Sequence, residues 1–467
     1  MVSHDAPVAT DYHERPVDLL RELLRFETVN PPGDERPCIE WLGDLLAAYG
    51  VEYDTYARDP GRPNLLARVP GGDAPPLLLY GHVDVVPVDE DAWTHDPFAG
   101  VVEDGYVWGR GALDMKSGVA MFLAAFLRAA VADEAPAGDL LFLAVADEEG
   151  GGDDGMAYLV DEHPDLFADV EYALGEFGGF SMALGGVETY PIQVNEKQLC
   201  WMEATFTGTS GHASLPTADT AMGEMAEFVS AVDGQRLPVH VTPAVEGMVE
   251  ALADAVAADV AEQLRGLLDP DQTDDVLDAI GEDGRIFDAL LHNTANVTRV
   301  RGGDKENVVP GEVTALLDCR LVPGQEPADV IAELTALTDA DPEFDIVRYD
   351  SGPPAADMGL FDELAGHLEA AVEGGVAVPL VMFGGTDGRH LARVDVQSYT
   401  ATPRCRSATS RFSTSHTAAT SASPSRPSAG APTGSTTPSA RTTGDRPPSR
   451  CVRRVNCRHP VSVQPPV

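Results

Sequence analysis

Two short runs without a single charge, residues 77–80 and 140–145, constrain the N-terminal half more than any other feature, because each ends abruptly in polar residues. Continuous apolar runs of this length are the pattern of strands buried on both faces, as in the sheet of an α/β domain. Between them, residues 116–130 carry apolar side chains at helical spacing. Strand, helix, strand in that order predicts a doubly wound α/β domain, in which ligands gather beyond the carboxyl ends of the strands. Val17, Leu20 and Leu24, then Ile39, Leu42, Leu45 and Leu46, predict two outer helices, the second stopped by Gly50.

From Glu188 onward the pattern changes. Strand-like segments at 199–206, 294–300 and 313–321, with helical periodicity at 222–232 and 245–268, predict an inserted α+β domain. Helices at 327–337 and 360–372 and a strand at 376–382 then resume the first pattern. At 467 residues the chain is longer than one core normally serves. The expected division is a catalytic domain built around a mixed sheet from 1–187 and 311–403, interrupted by a lid or dimerisation domain at 188–310, with a tail at 404–467.

Composition excludes several partners. The formal net charge is −45, and only three lysines occur, Lys116, Lys197 and Lys305. So acidic a surface repels nucleic acid and the anionic face of a membrane, and its self-repulsion calls for screening by salt. A halophilic cytoplasm fits this balance, with an ordinary acidic protein as the alternative. No run of 18 uncharged apolar residues occurs, and the first 16 residues carry Asp5, Asp11, His13 and Glu14, so neither a membrane span nor a leader is expected. The six cysteines lack Cys-x-x-Cys spacing, which points away from a thiolate metal site and towards a reducing cytoplasm.

Four motifs carry the chemistry. Residues 80–87 read Tyr-Gly-His-Val-Asp-Val-Val-Pro, so His82 and Asp84 stand two apart at the end of a strand, on one side of an extended chain. A carboxylate so placed can orient an imidazole that binds a metal, although a single histidine after a strand is more often structural. Residues 109–118 place Asp114 just ahead of a helix, where an N-cap is the plain alternative. Residues 145–150 end a buried strand in Asp147, Glu148 and Glu149, and carboxylates so packed repel one another unless cations neutralise them. Glu176 follows another short strand. Jointly they make an oxygen-rich donor set with one imidazole, suited to two divalent ions.

The order and spacing of these motifs resemble the aminoacylase, acetylornithine deacetylase, succinyl-diaminopimelate desuccinylase and carboxypeptidase family of two-zinc metallopeptidases, over about residues 15 to 400. The resemblance implies that His82, Asp114, Glu149 and Glu176 bind two divalent ions, zinc with cobalt as the alternative, and that Asp114 bridges them. It implies that Asp84 orients His82 and that Glu148 is the general base. His212, in a Gly-Thr-Ser-Gly-His-Ala-Ser segment, resembles the lid histidine that reaches a partner subunit's site, which implies a homodimer through the lid. Asn307, Arg320, Gly384, Gly385 and Thr386 resemble substrate-binding positions, Arg320 as a clamp on a carboxylate. The substrate implied is a small N-acyl amino acid or short peptide, cleaved at its amide bond.

One departure stands out. The family carries a last metal-binding histidine about 30 residues beyond the Gly-Gly-Thr-Asp turn, and here His416 lies at that distance in a Ser/Thr-rich stretch. From Arg404 onward the chain has ten arginines and one acid, Asp445, against 75 acids before it. A natural basic tail is one reading. The other is translation out of frame, and an inactive metal-binding scaffold is the corresponding rival to an active hydrolase. Read two nucleotides on, the codons spanning residues 400–405 can encode Gly-Tyr-Thr-Pro-Leu. Those from His416 can encode His-Gly-Arg-Asp-Glu-Arg, where the first codon is confined to His or Tyr. Sequencing the gene tests this: the out-of-frame reading expects histidine at that shifted codon and an open frame beyond it, whereas tyrosine there or early stop codons would contradict it.

Overall fold

The computed structural model describes residues 11–176, 178–184, 187–372 and 374–400. Its central sheet has six strands in the spatial order Tyr53–Tyr56, Asn64–Val69, Gly138–Val145, Ala74–His82, Tyr172–Leu174 and Gln397–Tyr399. The last four are mutually parallel and the first two antiparallel, so the sheet is mixed. Successive side chains on a strand face opposite ways. Leu79, Phe142 and Ala144 therefore pack under the helices Pro16–Leu23, Arg36–Ala48 and Lys116–Val131, while Leu78, Tyr80, Leu141 and Leu143 pack with Met156, Leu159 and Leu391 on the opposite face. Strands covered on both sides are why 77–80 and 140–145 read as unbroken apolar runs.

Register decides where the polar ends fall. His82 pairs with Val145, and Leu79 pairs with Leu174. The residues that follow Val145 and Leu174 are thus level with His82 at the carboxyl edge. The parallel pairing brings the first, third and fourth motifs to one place before any side chain is considered.

A second sheet is antiparallel, in the order Thr294–Gly302, Glu312–Leu321, Gln198–Thr207 and Glu343–Asp350. Helices Ala221–Val232 and Pro327–Ala336 cover one face through Phe228 and Leu334, against Phe206 and Leu317. This βαββαβ unit is the lid. Its sheet extends beyond the boundary at 310 expected from the sequence, since Glu312–Leu321 and Glu343–Asp350 belong to it. The helical stretch from Pro243 to Leu291, expected within the lid, packs instead on a third sheet. There Val376–Met382 runs parallel to Val187–Glu196, which pairs with Met182–Leu184, and Met248, Val249 and Leu252 bury against Ile192, Val378 and Leu380. Periodicity identified these elements, but pairing partners lie far apart in sequence and periodicity does not choose among them.

Lys197 is the one residue between strand Val187–Glu196 of the third sheet and strand Gln198–Thr207 of the lid. It is buried, and its Nζ donates to the carbonyls of Ala289 (2.9 Å) and His292 (2.7 Å). Lys116 is likewise buried and donates to the Phe26 carbonyl at 2.7 Å. Two of the three lysines thus serve as internal ties. Among the described residues, no helix is long and apolar enough to cross a membrane. The tail at 404–467, including His416, lies outside the described residues.

Candidate metal centre

His82 ends its strand fully buried. Its Nδ1 lies 3.0 Å from the Asp84 carbonyl and 3.3 Å from Asp84 Oδ1, which presents Nε2 to the open side. Nε2 lies 3.1 Å from Asp114 Oδ1, 3.7 Å from Glu176 Oε2 and 3.9 Å from Glu148 Oε2. His82, Asp114 and Glu176 each offer a ligand atom within 4.8 Å of the other two. Asp114 does not cap its helix; Met115 occupies the N-cap position, without a side-chain cap bond.

Asp84 organises the acidic loop. Buried itself, it accepts the backbone N–H groups of Glu148 and Glu149, each at 3.1 Å, and the Asn30 side-chain amide at 2.8 Å. Glu148–Gly150 forms a 3-10 turn after Asp147, whose φ of 66° is left-handed. One aspartate therefore touches the imidazole and both glutamate amides.

The electrostatics show what this arrangement lacks. Burial pushes Glu149 up to about 8, with the Asp114 charge adding to it. Burial also raises Glu148, against the pull of His82 and Arg389, and raises Glu176 far above the carboxylate range, reinforced by Glu148. For His82 burial favours the neutral ring, but the surrounding carboxylates, Glu176 foremost, hold the proton on. Asp84 is lowered: burial opposes ionisation, and His82 and Asn30 overcome it. Glu176 Oε2 is a buried oxygen with no hydrogen-bond partner. Three half-buried glutamates and the more exposed Asp114 around one buried imidazole, with an orphaned Glu176 oxygen facing it, fit divalent ions as the missing counter-charge.

The other residues proposed from sequence sit elsewhere. His212 is exposed on a short strand, Gly211–His212, paired with Val308–Val309, and its Nδ1 is 2.8 Å from Ser214 Oγ. Asn307 accepts the Ala213 N–H through its backbone carbonyl at 3.0 Å. Arg320 lies on the lid strand Glu312–Leu321, bonded to Asp318 at 2.8 Å. Gly384 and Gly385 are half-buried, and Thr386 donates from both N and Oγ1 to Glu196 Oε2, each at 2.8 Å. None of these stands on the strand ends that hold His82 and the glutamates. Asp387 ends the same turn as Thr386, and Arg389, two residues on, is not marked by any motif. Asp387 is buried with both oxygens unpartnered, and Arg389 Nη1 lies 3.9 Å from Glu148 Oε1. Asp387 closes the Gly-Gly-Thr-Asp turn, so the turn itself was the available signal.

A mixed α/β sheet with a donor cluster at its carboxyl edge and an inserted α+β lid defines a two-domain protein with a metal-binding type of site. Residues 78–420 match the profile of Peptidase family M20/M25/M40, and the chain belongs to that family. It is 42% identical over 226 residues to a succinyl-diaminopimelate desuccinylase of Methylobacterium radiotolerans, covering 46% of this chain and 52% of that one. It is 27% identical over 337 residues to a probable carboxypeptidase S-like protein of Dictyostelium discoideum, covering 68% and 62%. The chain thus spans about half the length of the first relative and somewhat more of the second. Among solved structures, an M20 family metallo-carboxypeptidase of Sulfolobus solfataricus shares the fold, with a TM-score of 0.54 at 18% identity over 83% of this chain and 90% of that one.

Burial pushes Glu149 up to about 8, so a divalent ion that took Glu149 as a ligand at pH 7 would displace its proton. Affinity should therefore fall as pH drops from 8 to 6. Titration calorimetry with Co²⁺ at pH 7, in two buffers of different ionisation enthalpy, should give different apparent heats. Equal heats in both buffers would exclude proton release.

Proposed function

We propose that this protein is a metal-dependent hydrolase that cleaves the amide bond of small N-acyl amino acids or short peptides, with two zinc ions as cofactor. The observation that carries the reading is His82 Nε2 facing Asp114, Glu176 and Glu148 within 3.9 Å. The family and the names of its relatives support it, and they lend no support to the inactive-scaffold reading. His82, Asp114 and Glu176 would hold one ion, and Asp114 with Glu149 would contribute to the second. When bound, such ions polarise the scissile carbonyl and lower the pKa of water from about 15.7 towards about 7.

The protein's own groups supply the rest. Asp84 holds His82 through Nδ1, so that Nε2 stays turned to the ligand side. Glu148, half-buried and raised above the ordinary carboxylate range, is suited to accept a proton from the attacking water and deliver it to the leaving nitrogen. Its backbone N–H, bonded to Asp84, fixes where that carboxylate starts. In this reading His212, exposed on the lid, acts across a homodimer to stabilise the developing oxyanion, and Arg320 receives the substrate carboxylate when the lid closes.

Glu148→Gln should fold and bind divalent ions as the parent does, yet lose turnover by about 10² to 10⁴ on a panel of N-acetyl and N-succinyl amino acids, because the water's proton then has no acceptor. A variant that keeps more than about a third of the parent's rate is incompatible with that general-base role.

A further inference from the structure

Arg62 is nearly buried, and its guanidinium is shared among three carboxylates. Nε and Nη2 grip the two oxygens of Glu35 at 3.0 and 2.6 Å, and Nη1 donates to Asp147 Oδ1 at 2.7 Å. Asp154 Oδ2 lies 3.6 Å from Nη1. Glu35 is fully buried and Asp147 nearly so. Asp147, the residue before Glu148, is held at every oxygen. Oδ1 also accepts the Asn30 amide at 3.0 Å, Oδ2 accepts the Asp154 N–H at 3.0 Å, and its carbonyl accepts the N–H groups of Gly150 and Gly152. The turn folds so tightly on this carboxylate that a Cβ at Gly150 would come 2.3 Å from Oδ1.

Asn30 links this ion pair to the centre, because the same amide nitrogen donates to Asp84 Oδ2 at 2.8 Å. A continuous chain runs from Glu35 through Arg62, Asp147, Asn30 and Asp84 to His82. A buried ion pair is a poor source of stability, since apolar groups of the same volume usually serve as well. What a forked guanidinium supplies is fixed geometry. Here the geometry it fixes is the left-handed residue that starts the Glu148–Gly150 turn.

We propose that Arg62 is a positioning residue of the metal centre: by clamping Asp147 against Glu35, it sets the backbone from which Glu148 and Glu149 project. Its kinetic consequence rests on the hydrolase reading; its effect on ion binding does not. Arg62→Lys keeps the charge but cannot fork, and Asn30→Ala cuts the link to Asp84 while leaving the ion pair. Co²⁺ affinity of each variant is measured by calorimetry beside the parent, with circular dichroism and melting as checks on folding. Changes in groups that orient metal ligands lower affinity by about 10- to 100-fold. That loss is expected in both variants, with a matching fall in kcat and little change in KM. Variants that melt earlier yet bind Co²⁺ as tightly as the parent would reduce Arg62 to a structural role and overturn the proposal. If Arg62→Lys does not fold, Asn30→Ala decides by the same criterion. A parent that binds no Co²⁺ overturns the proposal outright. A parent that binds Co²⁺ but hydrolyses nothing defeats the hydrolase reading alone, and the affinities still decide the role of Arg62.

Discussion

The structure depends on concentrating carboxylates beside one buried imidazole at the carboxyl edge of the sheet. Glu148, Glu149 and Glu176 gather with Asp114 around one buried imidazole, and burial drives each glutamate to keep its proton. Removing a carboxylate from water is costly unless charge or hydrogen bonds replace the lost solvent. The protein supplies those bonds in full to Asp84 and leaves Glu176 Oε2 without one. This asymmetry separates the groups that build the site from those that await a ligand. Asp84 and Asn30 are satisfied internally, whereas Glu176 Oε2, which faces His82 Nε2, is not.

Backbone geometry delivers the cluster. Parallel strands in fixed register end together, and the chain after each end is free of ladder bonds and can turn its side chains inward. At the 138–145 strand the exit is a left-handed Asp147, then Glu148 and Glu149, then three glycines. Gly151 and Gly152 have φ of 113° and 85°, and there a side chain would be strained. A Cβ on Gly151 would also come 3.1 Å from the Arg348 guanidinium of the lid. The loop that carries the glutamates is thereby pressed between the catalytic sheet and the lid strand Glu343–Asp350. Arg389 reinforces that contact: Nε lies 3.7 Å from Asp350 and Nη1 lies 3.9 Å from Glu148.

The parts of this design differ in how far they were legible in the sequence. The strands at 77–80 and 140–145 and the helix between them were readable because full burial leaves an unbroken apolar run. The alternation along 313–321 likewise marked a half-buried strand. His82, Asp84 and the glutamates could be grouped because they stand at or just beyond the ends of strands, and Asp114 because it stands just ahead of the helix Lys116–Val131. The extent of the lid was not legible, since Glu343–Asp350 pairs with Gln198–Thr207 across more than a hundred residues. Arg62, Asn30 and Glu35 were invisible for a related reason. Each stands in an unremarkable loop or at a helix start, and its role arises only when three distant segments meet around Asp147. A buried arginine looks the same as an exposed one in a sequence.

The central claim is that this carboxyl-edge cluster is completed by divalent ions. Crystals grown with zinc, with diffraction data collected on both sides of the zinc absorption edge, test it most directly. The account predicts an anomalous peak bounded by His82 Nε2, Asp114 and Glu176, and a second beside Asp114 and Glu149. A zinc-saturated crystal with no peak at His82, and with the cluster arranged as it is without ions, would contradict it.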